Sequence, residues 1–350
     1  MIKIGLIGLG GIGQRHLQLL AAEPECELTA VADPAVNQAP TGVAHYASHL
    51  QMLDNERLDG VIVAAPTQLH APIGLDCVSR RLPVLMEKPF TDTVASGREL
   101  VDAARAAGVA IAVGHHRRFD PAVRAAREIL RSGEIGELVG ISGLWAARKP
   151  DAYYEVEWRR KPGGGPVLIN MIHDVDMLRY WCGEVESAYA ETSSRGRNPE
   201  VEDSGAIILR FANGVLATIS FSDQTPSPWG WERGSADNPS VPGTRENCFR
   251  FFGTKGSFEF PNIAVWKNNP NVEPSWLEPI SSEARPLPPR AALAAQLKSF
   301  CKVVRGESRP FVGPSDGLAT LAATVAIHNS AKSGKTERPS YGHHATSLPG

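Results

Sequence analysis

Apolar residues along this chain fall into two rhythms, and the change between them comes near residue 120. Before it, short unbroken apolar runs lie at Ile2–Ile7, 28–32, 61–65, Val84–Met86 and 110–113. They alternate with stretches whose apolar positions recur at helical spacing: Gly11–Ala22, 68–80 and 93–107. The runs are rich in Val, Ile and Leu with little polar alternation, as expected for parallel strands buried on both faces. Strand–helix alternation of this kind predicts an α/β, doubly wound parallel sheet.

After residue 120 the pattern changes. Pro121–Ser132 reads as a linking helix and 138–147 as the first strand of a second sheet. An amphipathic helix follows over 169–182 and stops at Gly183, a C-cap signal. Period-two runs then occupy 206–211, 215–221, 248–252 and Ser257–Phe260, with Asn213-Gly214 as a hairpin signal between two of them. This part is expected to be an α+β domain on a large, open, mainly antiparallel sheet. Segments 226–242 and 268–289, rich in Pro and other turn formers, read as loops. Two last helices are expected over 291–305 and 316–333. The expected division is 1–120, 121–333 and a loose polar tail at 334–350. No internal repeat is visible.

The boundary between the first strand and first helix carries the strongest chemical signal. Gly8-Leu9-Gly10-Gly11-Ile12-Gly13 is Gly-x-Gly-x-x-Gly at a strand-to-helix turn, and Asp33 stands about twenty residues beyond. Gly8 permits the tight turn, Gly10 lets a pyrophosphate approach the backbone, and Gly13 brings helix and strand together. The pyrophosphate would sit on the helix's positive end. Asp33 can accept hydrogen bonds from an adenosine ribose and would repel a 2′-phosphate. Pro34-Ala35 offer no arginine to such a phosphate, so NAD is expected rather than NADP.

Further candidates lie at the carboxyl ends of the predicted strands, where ligands of such sheets bind. Glu87-Lys88-Pro89 follows Val84–Met86. Lys88 is either a general base, its pKa depressed by burial and a neighbouring positive nicotinamide, or a surface lysine paired with Glu87. Arg117-Arg118 follow Gly114-His115-His116, and Trp158-Arg159 precede Gly163-Gly164-Gly165. These arginines could bind substrate hydroxyls or a carboxylate, or pair with acids. The triple glycine would let a ligand approach the helix carrying Asn170, His173, Asp174 and Asp176. Helical spacing puts Asn170, His173 and Asp174 on one face. His173-x-x-Asp176 supplies too few ligands for a metal.

Composition narrows the class. The chain has 350 residues, 42% of them hydrophobic and 21% charged, with a net charge of −2 and no concentrated basic region, so neither nucleic acid nor an anionic membrane is implied. No apolar run approaches a membrane span, and the glycine-punctuated N-terminus lacks the form of a signal peptide. Cys26, Cys77, Cys182, Cys248 and Cys301 have no Cys-x-x-Cys spacing and read as buried, reduced thiols of a cytoplasmic protein.

Taken in order, these residues resemble the Gfo/Idh/MocA family of oxidoreductases, the glucose–fructose oxidoreductase and inositol dehydrogenase group. The resemblance rests on Gly8–Gly13 with His16, on Asp33, and on Ala65-Pro66-Thr67 with His70. It continues through Glu87-Lys88-Pro89, Gly114 with Arg117-Arg118-Phe119, and Gly163–Gly165 with His173 and Asp176. Asn213-Gly214 and Gly253-Thr254-Lys255-Gly256 fit it as well. It implies an N-terminal Rossmann domain and a C-terminal domain whose open sheet forms homodimer or homotetramer contacts. It implies NAD held by Gly8, Gly10, Gly11, Ile12, Gly13, Asp33, Ala65, Pro66, Thr67, His70, Glu87, Lys88 and His116. It further implies a sugar, sugar acid or cyclic polyol oxidised with Lys88 and His173 in catalysis. Lys88, Arg117, Trp158, Asn170 and His173 would bind that substrate. The family's usual aspartate four residues before the histidine is Ile169 here. Other activities of such chains also stand as expectations: an NADPH-dependent keto-sugar or dihydrodiol-type reductase, an NAD-retaining glycosidase, or a non-catalytic cofactor-binding regulator.

Overall fold

In the computed structural model, which describes residues 1–36, 39–161, 163–196, 200–269 and 271–341, the runs of the first rhythm form one parallel sheet. Its elements are β1 (Ile2–Ile7), α1 (Gly11–Ala22), β2 (Cys26–Ala32), β3 (Ala44–Tyr46) and α2 (His49–Asn55). After them come β4 (Gly60–Val63), α3 (His70–Ser79), β5 (Val84–Met86), α4 (Val94–Ala107) and β6 (Ile111–Val113). The strand order is β3-β2-β1-β4-β5-β6, every pair parallel. The order reverses between β1 and β4, and the crevice at their carboxyl ends is where ligands of open α/β sheets bind. The short β3 and α2 lie outside the sequence expectation. Three residues and two turns are too short to show a period, and α2 is held by the Ser48 side chain, which accepts from the Leu50 N–H.

The second rhythm builds α5 (Pro121–Ser132), β7 (Leu138–Ala146), α6 (Ile172–Cys182), β8 (Val185–Ser193), β9 (Ser204–Phe211), β10 (Leu216–Ser222) and α7 (Trp231–Ser235). It continues with β11 (Phe249–Gly253), β12 (Ser257–Phe260), β13 (Ala264–Asn268) and β14 (Ile280–Ala284). Eight strands pair in the order β14-β13-β12-β11-β7-β10-β9-β8. β7 and β10 run parallel and the other neighbours antiparallel. Along β9 and β10 burial alternates residue by residue, with Ile207, Leu209, Phe211, Ala217, Ile219 and Phe221 inward. Val123, Ala126 and Ile129 of α5 and Val175 and Leu178 of α6 belong to the same core. Trp181 lies edge-on to Phe251 and Phe260 at 5.1 and 4.9 Å, and its Nε1 donates to the Val123 carbonyl at 3.0 Å. That satisfies the one polar atom of a large buried ring. At the Asn213-Gly214 hairpin, Gly214 takes φ 88°, a value that favours glycine.

The last two helices are α8 (Ala292–Val304) and α9 (Pro314–Ser333). Contacts divide the chain into two compact units. One comprises Met1–His116, Leu293–Ala322 and the described residues from Ser340, and the other comprises Arg117–Ala292 and Ala323–Pro339. The expected continuous block over 121–333 is therefore interrupted. The reason is apolar: Leu297, Phe300, Cys301 and Val303 of α8 share a core with Ile4, Leu6, Val31 and Ile62 of the parallel sheet. A Cβ on Gly60 would lie 2.8 Å from Val304 Cγ2 and 3.3 Å from Phe300 Cζ, so glycine lets α8 approach β4.

The expected loop at 226–242 contains α7, and that at 268–289 contains β14. The tail also differs from expectation over its described part, because Ala188 and Glu337 exchange backbone hydrogen bonds of 2.8 and 2.9 Å. The rest of that tail, 342–350, falls outside the described residues. All five cysteines are free and buried. Among the described residues no helix is long and apolar enough to cross a membrane.

Phe300→Ala should lower the free energy of unfolding by about 3–5 kcal/mol, the range for a fully buried phenylalanine. Urea denaturation measures it, and a loss under about 1 kcal/mol would show that α8 is not part of this core.

Candidate active site

The glycine turn is shaped by contacts within the first unit. A Cβ on Gly13 would lie 2.0 Å from the Gly8 carbonyl oxygen, and one on Gly8, whose φ is +92°, would lie 2.6 Å from the Ala64 carbonyl. Gly8 and Gly13 therefore hold β1, α1 and the end of β4 together. Gly10 and Gly11 differ, since among the described residues no atom beyond their chain neighbours and the helix backbone stands within 4 Å of where their Cβ atoms would be. α1 starts there with no side-chain cap and no acid in its first turn, and Ile12 in that turn is half-buried. Its free N–H groups and positive end suit a pyrophosphate.

Asp33, just past β2, accepts from Leu9 N–H at 2.7 Å through Oδ2 and from Ala35 N–H at 2.8 Å through Oδ1. The acid is thereby fixed against the glycine turn. Past β4, Ala65 and Thr67 are half-buried and Pro66 is exposed. His70 is buried, with Nδ1 2.8 Å from the Pro89 carbonyl and Nε2 2.9 Å from the Ala65 carbonyl. Burial pushes its pKa below the ordinary value, against the pull of those carbonyls. Both ring nitrogens face backbone, so His70 ties the Ala65–Thr67 loop to the segment after Lys88.

Glu87 is 4% exposed, and its Oε1 lies 2.8 Å from His16 Nε2. Its Oε2 accepts from the Lys88 N–H at 3.2 Å, and a Cβ on Gly114 would lie 3.0 Å from that oxygen. Burial opposes ionisation, but the hydrogen bond and charge of His16, with the charges of His116 and Lys88, hold the carboxyl at about 2. Lys88 is half-buried and joined to Pro89 by a cis peptide bond. His116, half-buried, opens a short 3-10 turn after β6.

In the second unit the arginines take the structural reading. Arg117 is 2% exposed and donates to Asp174 Oδ1 at 3.2 Å and to Glu232 Oε1 at 2.8 Å, with its guanidinium 5.2 Å over Trp231. Arg118 grips both oxygens of Asp176, at 2.8 and 2.7 Å. Arg117 is thus engaged by two acids and Asp176 by Arg118. Among the described residues no group of three or more His, Cys, Asp or Glu is placed to hold a metal.

Two of the three glycines are explained by protein packing, while Gly163 takes φ 93°. A Cβ on Gly164 would lie 2.4 Å from the Trp158 carbonyl, and one on Gly165 would lie 2.2 Å from Glu202 Oε1. The helix expected over 169–182 begins instead as a π turn, Val167–Met171, before α6. Asn170 is half-buried on that turn, and its Oδ1 has no hydrogen-bond partner among the described residues. His173 is 8% exposed in the first turn of α6, and Trp158 is 54% exposed on the 3-10 turn Glu157–Arg160. Ile169 supplies no carboxylate. Glu202 and Glu232 were missed by sequence reasoning because nothing local marks them: Glu202 reaches a backbone N–H 35 residues away.

Asp174 is buried, and burial pushes its carboxyl up to about 7; the Arg117 charge opposes this and the Glu232 charge adds to it. Between about pH 4 and 7 the native state then holds a proton that the unfolded chain has released. This group's contribution to stability falls as pH rises through that window and is constant above it. In urea titrations from pH 4.5 to 8, Asp174→Asn should become progressively more stable relative to the parent as pH rises. Parallel curves for the two proteins would contradict the assignment.

Two family models match the chain: the NAD-binding Rossmann fold of the oxidoreductase family over residues 2–115, and the GFO/IDH/MocA C-terminal domain over 123–259. The rhizopine catabolism protein MocA of Rhizobium meliloti is 27% identical over 334 residues, covering 93% of each chain. The myo-inositol 2-dehydrogenase of Thermotoga maritima is 29% identical over 347 residues, covering 94% of this chain and 96% of that one. Among solved structures, the WlbA dehydrogenase of Bordetella pertussis, in complex with NADH and UDP-GlcNAcA, shares the fold with a TM-score of 0.79 at 24% identity, over 96% and 98% of the two chains. The glycine cradle, the Glu-Lys-Pro segment and the two sheets are thus those of a family: the chain belongs to the Gfo/Idh/MocA oxidoreductases.

Proposed function

We propose that this oxidoreductase removes hydride from a secondary hydroxyl carbon of a sugar, sugar acid or cyclic polyol, with NAD as acceptor. The observation that carries the reading is the Glu87–Lys88 junction at the carboxyl end of β5. A buried, ionised carboxylate there holds the backbone of a half-buried lysine at the ligand edge of a dinucleotide-binding sheet. The relatives named for inositol and rhizopine metabolism support this substrate class.

Gly8, Gly10, Gly11, Ile12 and Gly13 would carry the pyrophosphate, and Asp33 the adenosine ribose. Ala65, Pro66, Thr67 and His116 would border the nicotinamide half, with His70 and Glu87 holding that border in place from behind. The bound dinucleotide supplies the hydride acceptor, nicotinamide C4. Asp33, already aligned by Leu9 and Ala35, favours a ribose with a free 2′-hydroxyl, so NAD is preferred to NADP. Lys88 takes the proton of the substrate hydroxyl, directly or shared with His173. Asn170 offers an acceptor oxygen to a substrate hydroxyl, and the Trp158 ring offers an apolar face for a sugar ring. Arg117 would orient the substrate from its place between Asp174 and Glu232. The reading extends to a homodimer or homotetramer through the outer face of the eight-stranded sheet, where Leu216 and Phe252 stand exposed on the strands either side of Gly140.

The test is a panel of polyols, aldoses and sugar acids offered with NAD+ or NADP+, read by nicotinamide absorbance. NAD+ reduction by at least one member is expected, and a preference for NADP+ would overturn the cofactor assignment. With the substrate so found, Lys88→Ala should lose about 10²–10⁴ in kcat while still binding NAD+. Turnover close to that of the parent would remove Lys88 from the mechanism.

A further inference from the structure

The turn that delivers Asn170 and His173 is built around one remote carboxylate. Glu202 Oε1 accepts the Val167 N–H at 2.9 Å, where the π turn begins. The same carboxylate fills the space beside Gly165, where a Cβ would lie 2.2–2.4 Å from three of its atoms. A negative group here answers two needs of a helix entry, an acceptor for an orphan N–H and a charge opposite the positive end. Glycine at 165 and glutamate at 202 are therefore one device, since each fits only because of the other.

Glu202 is itself held in place by the residue after it. Asp203 donates its N–H to Ser193 and accepts from Asp223 N–H, and its carboxylate accepts from Gly196 N–H and from the Ser204 hydroxyl. Lys149 and Asp223 carry the other charges that act on Glu202, and burial raises its carboxyl above the ordinary value. A π turn adds one residue to a helical circuit, so it rotates the helix beyond it relative to the chain that enters it. Where the turn begins thus determines the direction in which His173 leaves α6.

The geometry points to Glu202 as a positioning residue: by capping the π turn through the space left by Gly165, it sets the orientation of Asn170 and His173 for the reaction. The inference rests on the reading of His173 as a proton-handling group. Glu202 acts on both side chains through the backbone of 165–172, by way of the Val167 N–H and the space beside Gly165.

The test reads His173 directly and needs no substrate. Protein labelled with 13C at the histidine ring gives signals for ten histidines, and His173→Gln identifies the one concerned. Glu202→Ala should displace or broaden the His173 signal, leave His16 and His70 unmoved, and keep NAD+ affinity within about twofold. Glu202→Gln, which keeps an acceptor oxygen, should restore the His173 signal. Gly165→Ala should reproduce the displacement of Glu202→Ala, and the double variant should be no worse than either single one. With a substrate from the panel, Glu202→Ala should lower kcat about tenfold or more, and Glu202→Gln should recover most of it. An unmoved His173 signal in Glu202→Ala would overturn the proposal, as would equal displacement by Ala and Gln. If Glu202→Ala does not fold, Gly165→Ala and Glu202→Gln carry the same comparison. A panel in which no compound reduces NAD+ would sink the oxidation reading and leave the His173 signal to decide this one.

Discussion

The carboxylate of Glu87 holds together the glycine cradle, the Glu-Lys-Pro segment and the end of β6 within the first unit. One of its oxygens takes His16, on the helix that opens with the glycine cradle, and the other takes the backbone N–H of Lys88. It also occupies the space that makes Gly114 a glycine. A buried charge is tolerated only when its oxygens are answered, and here His16 answers one and the Lys88 N–H the other. Cradle helix, lysine and the end of β6 are therefore fixed relative to one another by one group. Asp33 does the same on a smaller scale, binding the end of β2 to Leu9 of the turn.

Acids and arginines play the corresponding part in the second unit. Arg118 closes on Asp176, while Arg117 is shared between Asp174 and Glu232; Glu232 in turn accepts from Trp145 Nε1 at 3.1 Å. These bonds anchor the helix bearing His173 from one side, and Glu202 anchors its entry from another. Burial is what chiefly raises the Asp174 carboxyl; the Arg117 charge opposes it and the Glu232 charge adds to it.

Much of this was legible in the chain, for reasons that can be named. The parallel sheet declares itself through unbroken Val, Ile and Leu runs, and the glycine turn through its place between a strand and a helix. The outer sheet shows its two-residue period in β9 and β10. The features that stayed hidden depend on contacts distant in sequence. Nothing in 291–305 says that α8 packs with β1 and β4 rather than with its neighbours in sequence. Arg117-Arg118 read equally as substrate ligands or as ion pairs, because the deciding partners lie more than 50 residues away. Gly163–Gly165 looked like room for a ligand, yet the space beside Gly164 and Gly165 is filled by Trp158 and Glu202. The π turn is invisible to a 3.6-residue period, since its residues are as apolar as those of an ordinary helix.

The proposed reaction is direct hydride transfer from a secondary carbinol carbon to the dinucleotide. Isotopic transfer tests this most directly. A panel substrate deuterated at the oxidised carbon should deliver its deuterium to nicotinamide C4 of the NADH formed, with a slowed single-turnover rate. Deuterium appearing in water with none in the recovered nicotinamide would contradict the account.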